Sequence, residues 1–431
     1  MSHPINFAVQ NESSTPDLAE ERAKWPLILC LVIAGEAVFS LPFHVARYFR
    51  PTVLEVFRLT NTELGDIFAM YGICAMLAYF PGGAIADRFG ARKLLSLSLF
   101  ATAFGGFYMI RIPGPGGLSM LFGYWGITTI LLSWSALIRA TRDYAGLYNQ
   151  GRAFGILDGG RGLVAALAAA FAVWLFGLNL PAEPLIETAS HQRLALQSVI
   201  FFYTLFTFGT GLVIWFALPD ASEASGSALN FFKDMKQVIG KPVVWLQAAI
   251  VICAYCGYKG LDYYSQYAVD VLEMNPLESA RFTALLAFLR PIAAIGAGFL
   301  ADRWSSGKII LSGFLLCMLG DGLLAAEGSL NPLKVLVYAN LLMTCVAVFG
   351  IRGVYFALLE ESKIDRGSTG SAVGLISLAG FTPDIFFVSL SGRLLDANSV
   401  LHGYQHLFAL LTMIAFLGML ATLLLARQQR R

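Results

Sequence analysis

Gly83-Ala-Ile-Ala-Asp87-Arg88-Phe-Gly90-Ala-Arg92-Lys93 is followed, about half a chain later, by a near copy: Gly298-Phe-Leu-Ala-Asp302-Arg303-Trp-Ser-Ser-Gly307-Lys308. The two aspartates stand 215 positions apart in a chain of 431 residues. A second pair agrees, because Gly151-Arg-Ala-Phe-Gly155-Ile-Leu matches Gly370-Ser-Ala-Val-Gly374-Leu-Ile at an offset of 219. Matching loops with apolar helices between them indicate a duplicated membrane-embedded unit, the sequence pattern of a secondary transporter.

Composition agrees with a bilayer environment. Hydrophobic residues make up 57% of the chain and charged residues 13%, with a mean hydropathy of +0.66. A soluble domain carries about a quarter charged residues. The net charge of +2 and the scattering of Lys and Arg at helix ends exclude a basic face for nucleic acid. All six cysteines lie in apolar runs and read as small hydrophobes. Cys253-Ala-Tyr-Cys256 has metal-like spacing but no second pair of ligands in its helix, so no metal and no cofactor are expected.

A window of about 20 residues, the length that crosses the hydrocarbon as a helix, predicts twelve spans. They fall near 25–46, 62–86, 94–111, 117–140, 151–178, 195–218, 242–270, 277–301, 307–326, 332–359, 368–394 and 404–426. The expected division is a cytoplasmic tail at 1–24, a six-helix bundle at 25–218, a polar linker at 219–241, a second bundle at 242–426 and a tail at 427–431. With both termini in the cytoplasm of a bacterium, positive residues accumulate on the inner side, and the outer side holds only Arg47, Arg50, Arg58, Arg111, Arg193, Arg281, Lys334 and Arg393. The first span then acts as an uncleaved signal.

Twelve spans in two halves, with the loop Gly-x-x-x-Asp-Arg-x-Gly-x-Arg-Lys after span two and its degenerate copy after span eight, resemble the major facilitator superfamily. Within it, Gln150-Gly-Arg-Ala-Phe-Gly-Ile-Leu-Asp158-Gly-Gly-Arg161-Gly and Gly380-Phe-Thr-Pro-Asp384-Ile-Phe with Gly392-Arg-Leu-Leu-Asp396 are similar to bacterial carriers of the YihN type, distant relatives of the organophosphate:phosphate antiporters. The resemblance covers the chain from about Trp25. It implies an all-α membrane fold of two pseudo-symmetric six-helix bundles. Alternating access would proceed around a central cavity lined by helices 1, 4, 7 and 10.

The loop motif also has a physical reading of its own. Gly83 permits close helix packing, Asp87 can accept from a helix N-terminus, and Arg88, Arg92 and Lys93 anchor at headgroups. Together with Asp302 and Arg303 these residues are candidates for a cytoplasmic gate that closes when the carrier opens outward. The plainer alternative is that Asp87 caps a helix and the basic residues set topology.

Charges deep in apolar spans cost several kcal/mol unless paired or hydrated, which singles out Glu36, Asp158, Arg161, Lys259, Asp262, Arg290, Arg352 and Asp384. Asp158 with Arg161, and Lys259 with Asp262, are three apart and can neutralise one another on one helix face. Arg290 and Arg352 have no such neighbour, so each needs an acid from another helix or an anion from solution; Asp384 or the Glu360/Glu361 couple are the alternatives for Arg352. Arg290, Lys259, Arg161 and Arg352, with Tyr258, Tyr263 and Tyr267, are the candidate substrate contacts. Tyr48, Trp134 and Tyr355 are further aromatics that can join them. Glu36, Asp262, Asp158 and Asp384 are the candidate proton carriers, and Glu36 reads equally as a permanent partner of Lys259 or Arg290. Pro383-Asp384 is expected to break helix 11.

No phosphate loop, no Gly-x-Ser-x-Gly and no His-Glu-x-x-His occurs, and the five histidines form no catalytic constellation. The expected activity is therefore not enzymatic. It is secondary transport of a small polar, anionic organic solute by a monomer in the lipid bilayer, with protons as the candidate coupling ion. Export of a cationic, zwitterionic or apolar compound, or sensing without flux, are the alternatives.

Overall fold

A computed structural model describes residues 25–145, 150–181, 189–219, 239–327, 334–358 and 369–429. These residues form twelve long helical segments and, among them, no strand. The first half holds α1 (Trp25–Tyr48), α2 (Asn61–Arg88), α3 (Ala91–Met109), α4 (Pro115–Ala145), α5 (Gln150–Leu178) and α6 (Ala189–Ala217). The second holds α7 (Pro242–Asp270), α8 (Pro276–Trp304), α9 (Ser306–Glu327), α10 (Lys334–Val354), α11 (Thr369–Gly380 and Pro383–Asp396) and α12 (Val400–Gln429). Ten of them are long and apolar enough to cross a membrane; α2 and α3 complete the first bundle between them. Most of the expected linker at 219–241 lies outside the described residues.

The helix breaks follow from local chemistry. Pro42 has no N–H to donate, and α1 widens into a π-turn over Ser40–His44. A second π-turn, Ile130–Trp134, interrupts α4. Pro291 withdraws a donor from α8, which divides between Ala287 and Leu289, and Pro383 restarts α11 after a two-residue break. Capping boxes start α2 at Thr60 with Glu63 and α8 at Asn275 with Glu278.

Calling the end of the molecule that holds Trp25 proximal and the end that holds Arg50 distal, the described contacts between halves concentrate in the distal part. There α2 lies against α11. A Cβ at Gly392 would come within 2.3 Å of the Asn61 carbonyl, and one at Gly65 within 2.6 Å of the Val388 carbonyl, so the two backbones touch. Asp396 accepts from the backbone N–H groups of Asn61 (3.2 Å) and Thr62 (2.7 Å) and so caps α2 from the other half. Asp66 pairs with Arg393 (2.8 Å). Arg50 is fully buried, donates to Gln266 (2.9 Å) and Asn61 (3.1 Å), and lies 4.2 Å from the Tyr263 ring. Arg47 and Arg50, expected on the outer surface, are thus interior residues: the first helix runs on past the hydropathy minimum into the short helix Arg50–Phe57.

At the proximal end a Cβ added at Gly83, Gly155, Gly159, Gly296 or Gly298 would meet nothing within 4 Å. Among the described residues, the halves touch distally and stand clear of one another at these proximal positions. Gly392→Val should wedge the distal end apart, because overpacking costs about 1–3 kcal/mol. That is enough to shift a two-state equilibrium by roughly fivefold to a hundredfold. In a background without native cysteines, maleimide labelling of Gly83→Cys should fall when Gly392→Val is added; unchanged labelling would mean that this contact does not hold the open state.

Candidate functional site

Between the halves lies a cleft of about 900 Å³, its mouth included. Both π-turns open onto it: Phe43 and His44 from α1, Ile130 and Trp134 from α4. A π-turn shifts the residues that follow by one position around the helix, which brings His44 onto the same side as Glu36.

The first cluster centres on Glu36. Its carboxylate meets His44 Nε2 at 3.1 Å, Arg161 Nε at 3.1 Å and Arg290 Nη1 at 3.5 Å. Arg290 reaches on to Asp158 at 3.6 Å. Arg290 comes from α8 and the others from α1 and α5, so this network bridges the halves. The i,i+3 pairing expected of Asp158 with Arg161 is replaced by pairs between helices. Burial explains the exchange: Glu36, buried in α1, has the greater need of cations, whereas the Asp158 side chain is 47% exposed.

The second cluster joins α7, α11 and α1. Lys259 Nζ lies 2.7 Å from Asp384 and 3.8 Å from Asp262. Asp262 also takes Arg47, which bonds the Tyr258 hydroxyl as well. Tyr255 donates to Asp384 (3.0 Å). The Lys259 ammonium also sits 4.2 Å from the Phe43 ring. Short-range geometry places both acids on one lysine because the 3₁₀ turn Leu261–Tyr263 follows it and Pro383 starts the second segment of α11.

Arg352 differs from the other four cations. Its guanidinium stacks 3.8 Å over the Tyr258 ring, opposite no described acid, and Nη1 has no hydrogen-bond partner. Asp384, an expected partner, is held by Lys259 and Tyr255 instead, and Glu360 and Glu361 lie outside the described residues. Arg47 lies 4.4 Å from the same tyrosine ring. Among the described residues around the cleft, five basic side chains (Arg47, Arg161, Lys259, Arg290, Arg352) face four acids (Glu36, Asp158, Asp262, Asp384), one cation more than acids.

Other expected positions fall elsewhere. Tyr258 lines the cleft, but Tyr263 stands under Arg50 and donates to the Val388 carbonyl (3.1 Å), and Tyr267 packs on Tyr404 and Phe408. Trp134 is part of the cleft wall, Tyr48 lines a smaller cavity with Arg47 and Arg290, and Tyr355 is in electrostatic contact with Arg352, Arg161 and Arg290. Of the loop residues, Arg88, Asp302 and Arg303 are exposed, Arg92 lies 5.2 Å from the Trp215 ring within its own half, and the Asp87 side chain is outside the described residues. Arg47 and His44 are cleft residues that hydropathy missed, since both sit where α1 was expected to end.

The sequence profile of the Major Facilitator Superfamily matches residues 27–388. The inner membrane protein YihN of Escherichia coli is 27% identical, over 94% of this chain and 96% of its own length. The probable nitrate/nitrite antiporter NarK1 of Thermus thermophilus is 24% identical, over 78% of each. The solved nucleoside transporter NupG superimposes with a TM-score of 0.71 over 94% of this chain and 99% of that one, at 13% identity, a likeness of fold.

The charge network makes a stability prediction. Lys259→Met alone strands Asp384 in the interior and should cost about 3–5 kcal/mol, whereas Lys259→Met with Asp384→Leu should recover most of the loss. Melting temperatures of the purified variants check this; a further drop on adding Asp384→Leu would show that the pair is not the stabilising unit.

Proposed function

The chain belongs to the Major Facilitator Superfamily, a transporter family and not an enzyme family, and we propose that it is a secondary active transporter of a small organic anion. The observation that carries the reading is Arg352, a guanidinium on the cleft wall with no described acid against it, in a site whose described cations outnumber its described acids by one. Its fork matches a carboxylate, sulfonate or phosphate group at two points. The Tyr258 ring has both guanidinium groups within cation–π distance, Arg352 at 3.8 Å and Arg47 at 4.4 Å. NarK1, named for nitrate and nitrite, supports an anion.

In this reading the bodies 25–218 and 242–426 rock about the cleft in a bacterial cytoplasmic membrane, with both termini and the proximal mouth in the cytoplasm. The protein works as a monomer. Glu36 and Asp158 share Arg290 while the mouth is open inward; rocking parts α8 from α1 and α5 and frees Glu36 to take a proton. Asp262 and Asp384 are the second acids placed to do so, because Lys259 serves both. The loop residues Gly83, Asp87, Arg88, Arg92, Asp302 and Arg303 meet only when the proximal mouth closes, so they act in the opposite conformation. Export of a cation fits less well, since each cleft acid already holds a cation.

Calorimetric titration of the purified protein with organic phosphates, sulfonates, carboxylates and matched amines should show binding among the anions. Arg352→Ala should weaken that binding by roughly tenfold to a hundredfold, the loss of a charge-assisted contact of about 1.5–3 kcal/mol. Arg352→Lys should restore only part, because an ammonium makes no fork. Binding confined to amines, or affinity indifferent to Arg352, would overturn the reading. Flux in reconstituted vesicles separates a carrier from a sensor.

A further inference from the structure

We propose that Asp321, in the middle of α9, is a protonation site of this protein, separate from the ion-paired cleft and carrying its proton in the conformation described. The residue is 3% exposed, in a helix of 22 residues with mainly apolar character. Its Oδ1 has no hydrogen-bond partner. Glu36, Asp262 and Asp384, the comparably buried acids, each have an arginine or lysine within ion-pair distance; Asp321 has none among the described residues.

Among the described residues no arginine, lysine or histidine forms an ion pair with it; Arg47 is the cation that reaches its neighbour Cys345. The titratable groups in electrostatic contact with it are Cys317 on its own helix, Cys345 on α10 and Tyr264 on α7; α8 and α12 add none among the described residues. Asn340 of α10 presents a second acceptor, Oδ1, also without a partner, against Gly320 beside Asp321. On α12, Thr412 stands beside Gly322. An ionised carboxylate buried without a counter-ion among the described residues is costly, so the neutral acid is the stable form. No transport role for the cleft cations is needed for this inference.

A way out for the proton is built beside it. A smaller cavity of about 450 Å³, its mouth included, is lined by Tyr264 and Cys345 on the side of Asp321 and by Arg47, Ala165 and Arg290 at the junction of the halves. Rocking reshapes that junction and admits water along Tyr264 and Cys345. Uptake forms one O–H bond with a proton from water, release returns the proton to water, and no other group changes.

Infrared difference spectroscopy of the full chain in nanodiscs, titrated from neutral to alkaline buffer without any substrate, tests the site. The wild type should show the C=O stretch of an un-ionised carboxylic acid that is lost on alkalinisation. Asp321→Asn, which copies the shape of the neutral acid, should melt like the wild type and lack the band, while Asp384→Asn should retain it. If Asp321→Asn does not fold, Asp321→Glu replaces it, and the band must shift in frequency. Absence of the band in the wild type, a band of full strength in Asp321→Asn, an unshifted band in Asp321→Glu, or a band that no alkali removes would each overturn the proposal. Because no ligand enters the measurement, its outcome is independent of the anion reading.

Discussion

Glu36 is held by Arg161, Arg290 and His44, and the rest of the structure depends on that clamp. A carboxylate in the middle of a membrane helix is tolerated only with partners. One of its partners belongs to the other half, so the energetic need of a single side chain ties the two bundles together inside the cleft as well as at the distal seam. Removing the cations would leave a buried charge; moving Arg290 away leaves Glu36 with Arg161 and His44 alone. Ion pairing therefore supplies the cleft with its coupling between halves as well as its stability.

The two ends of the molecule divide the labour of closure. Distally, α2 and α11 meet backbone to backbone, and Asp396, Asp66, Arg393 and Arg50 add polar contacts across the same seam. Exposed pairs such as Asp66 with Arg393 are screened by solvent, so they register the contact more than they drive it. The close approach at Gly65 and Gly392 does the driving. Proximally, Arg88, Asp302 and Arg303 of the duplicated loops are exposed. A seam that is tight at one end and empty at the other is what a rocking device leaves in a single conformation.

Much of this was legible in the sequence. The repeat at Asp87 and Asp302 carries the duplication, and apolar runs of about 20 residues carry the helices, because both signals are local. The proline break at Pro383 was legible for the same reason, whereas the division of α8 before Pro291 was not expected. Partners were not. Whether Arg161 turns to Asp158 or to Glu36 depends on which helix stands beside α5, and no spacing along one helix encodes that. Arg47 and His44 were hidden because hydropathy falls before α1 ends, and the π-turn at Ser40–His44 alters the face on which both lie. Asp321 was overlooked in an otherwise apolar helix, where its isolation becomes visible only when its neighbours are in place.

The central claim, that the halves rock about the charged cleft, is tested most directly by two distances measured in the same bilayer. Spin labels at Glu55→Cys and Ala397→Cys report the distal seam, and labels at Gly155→Cys and Gly296→Cys report the proximal mouth. The account predicts reciprocal behaviour: whatever population has the longer distal distance has the shorter proximal one, and Gly392→Val raises its share. Distal and proximal distances that lengthen together, or a single narrow distribution at both ends in every variant, would contradict it.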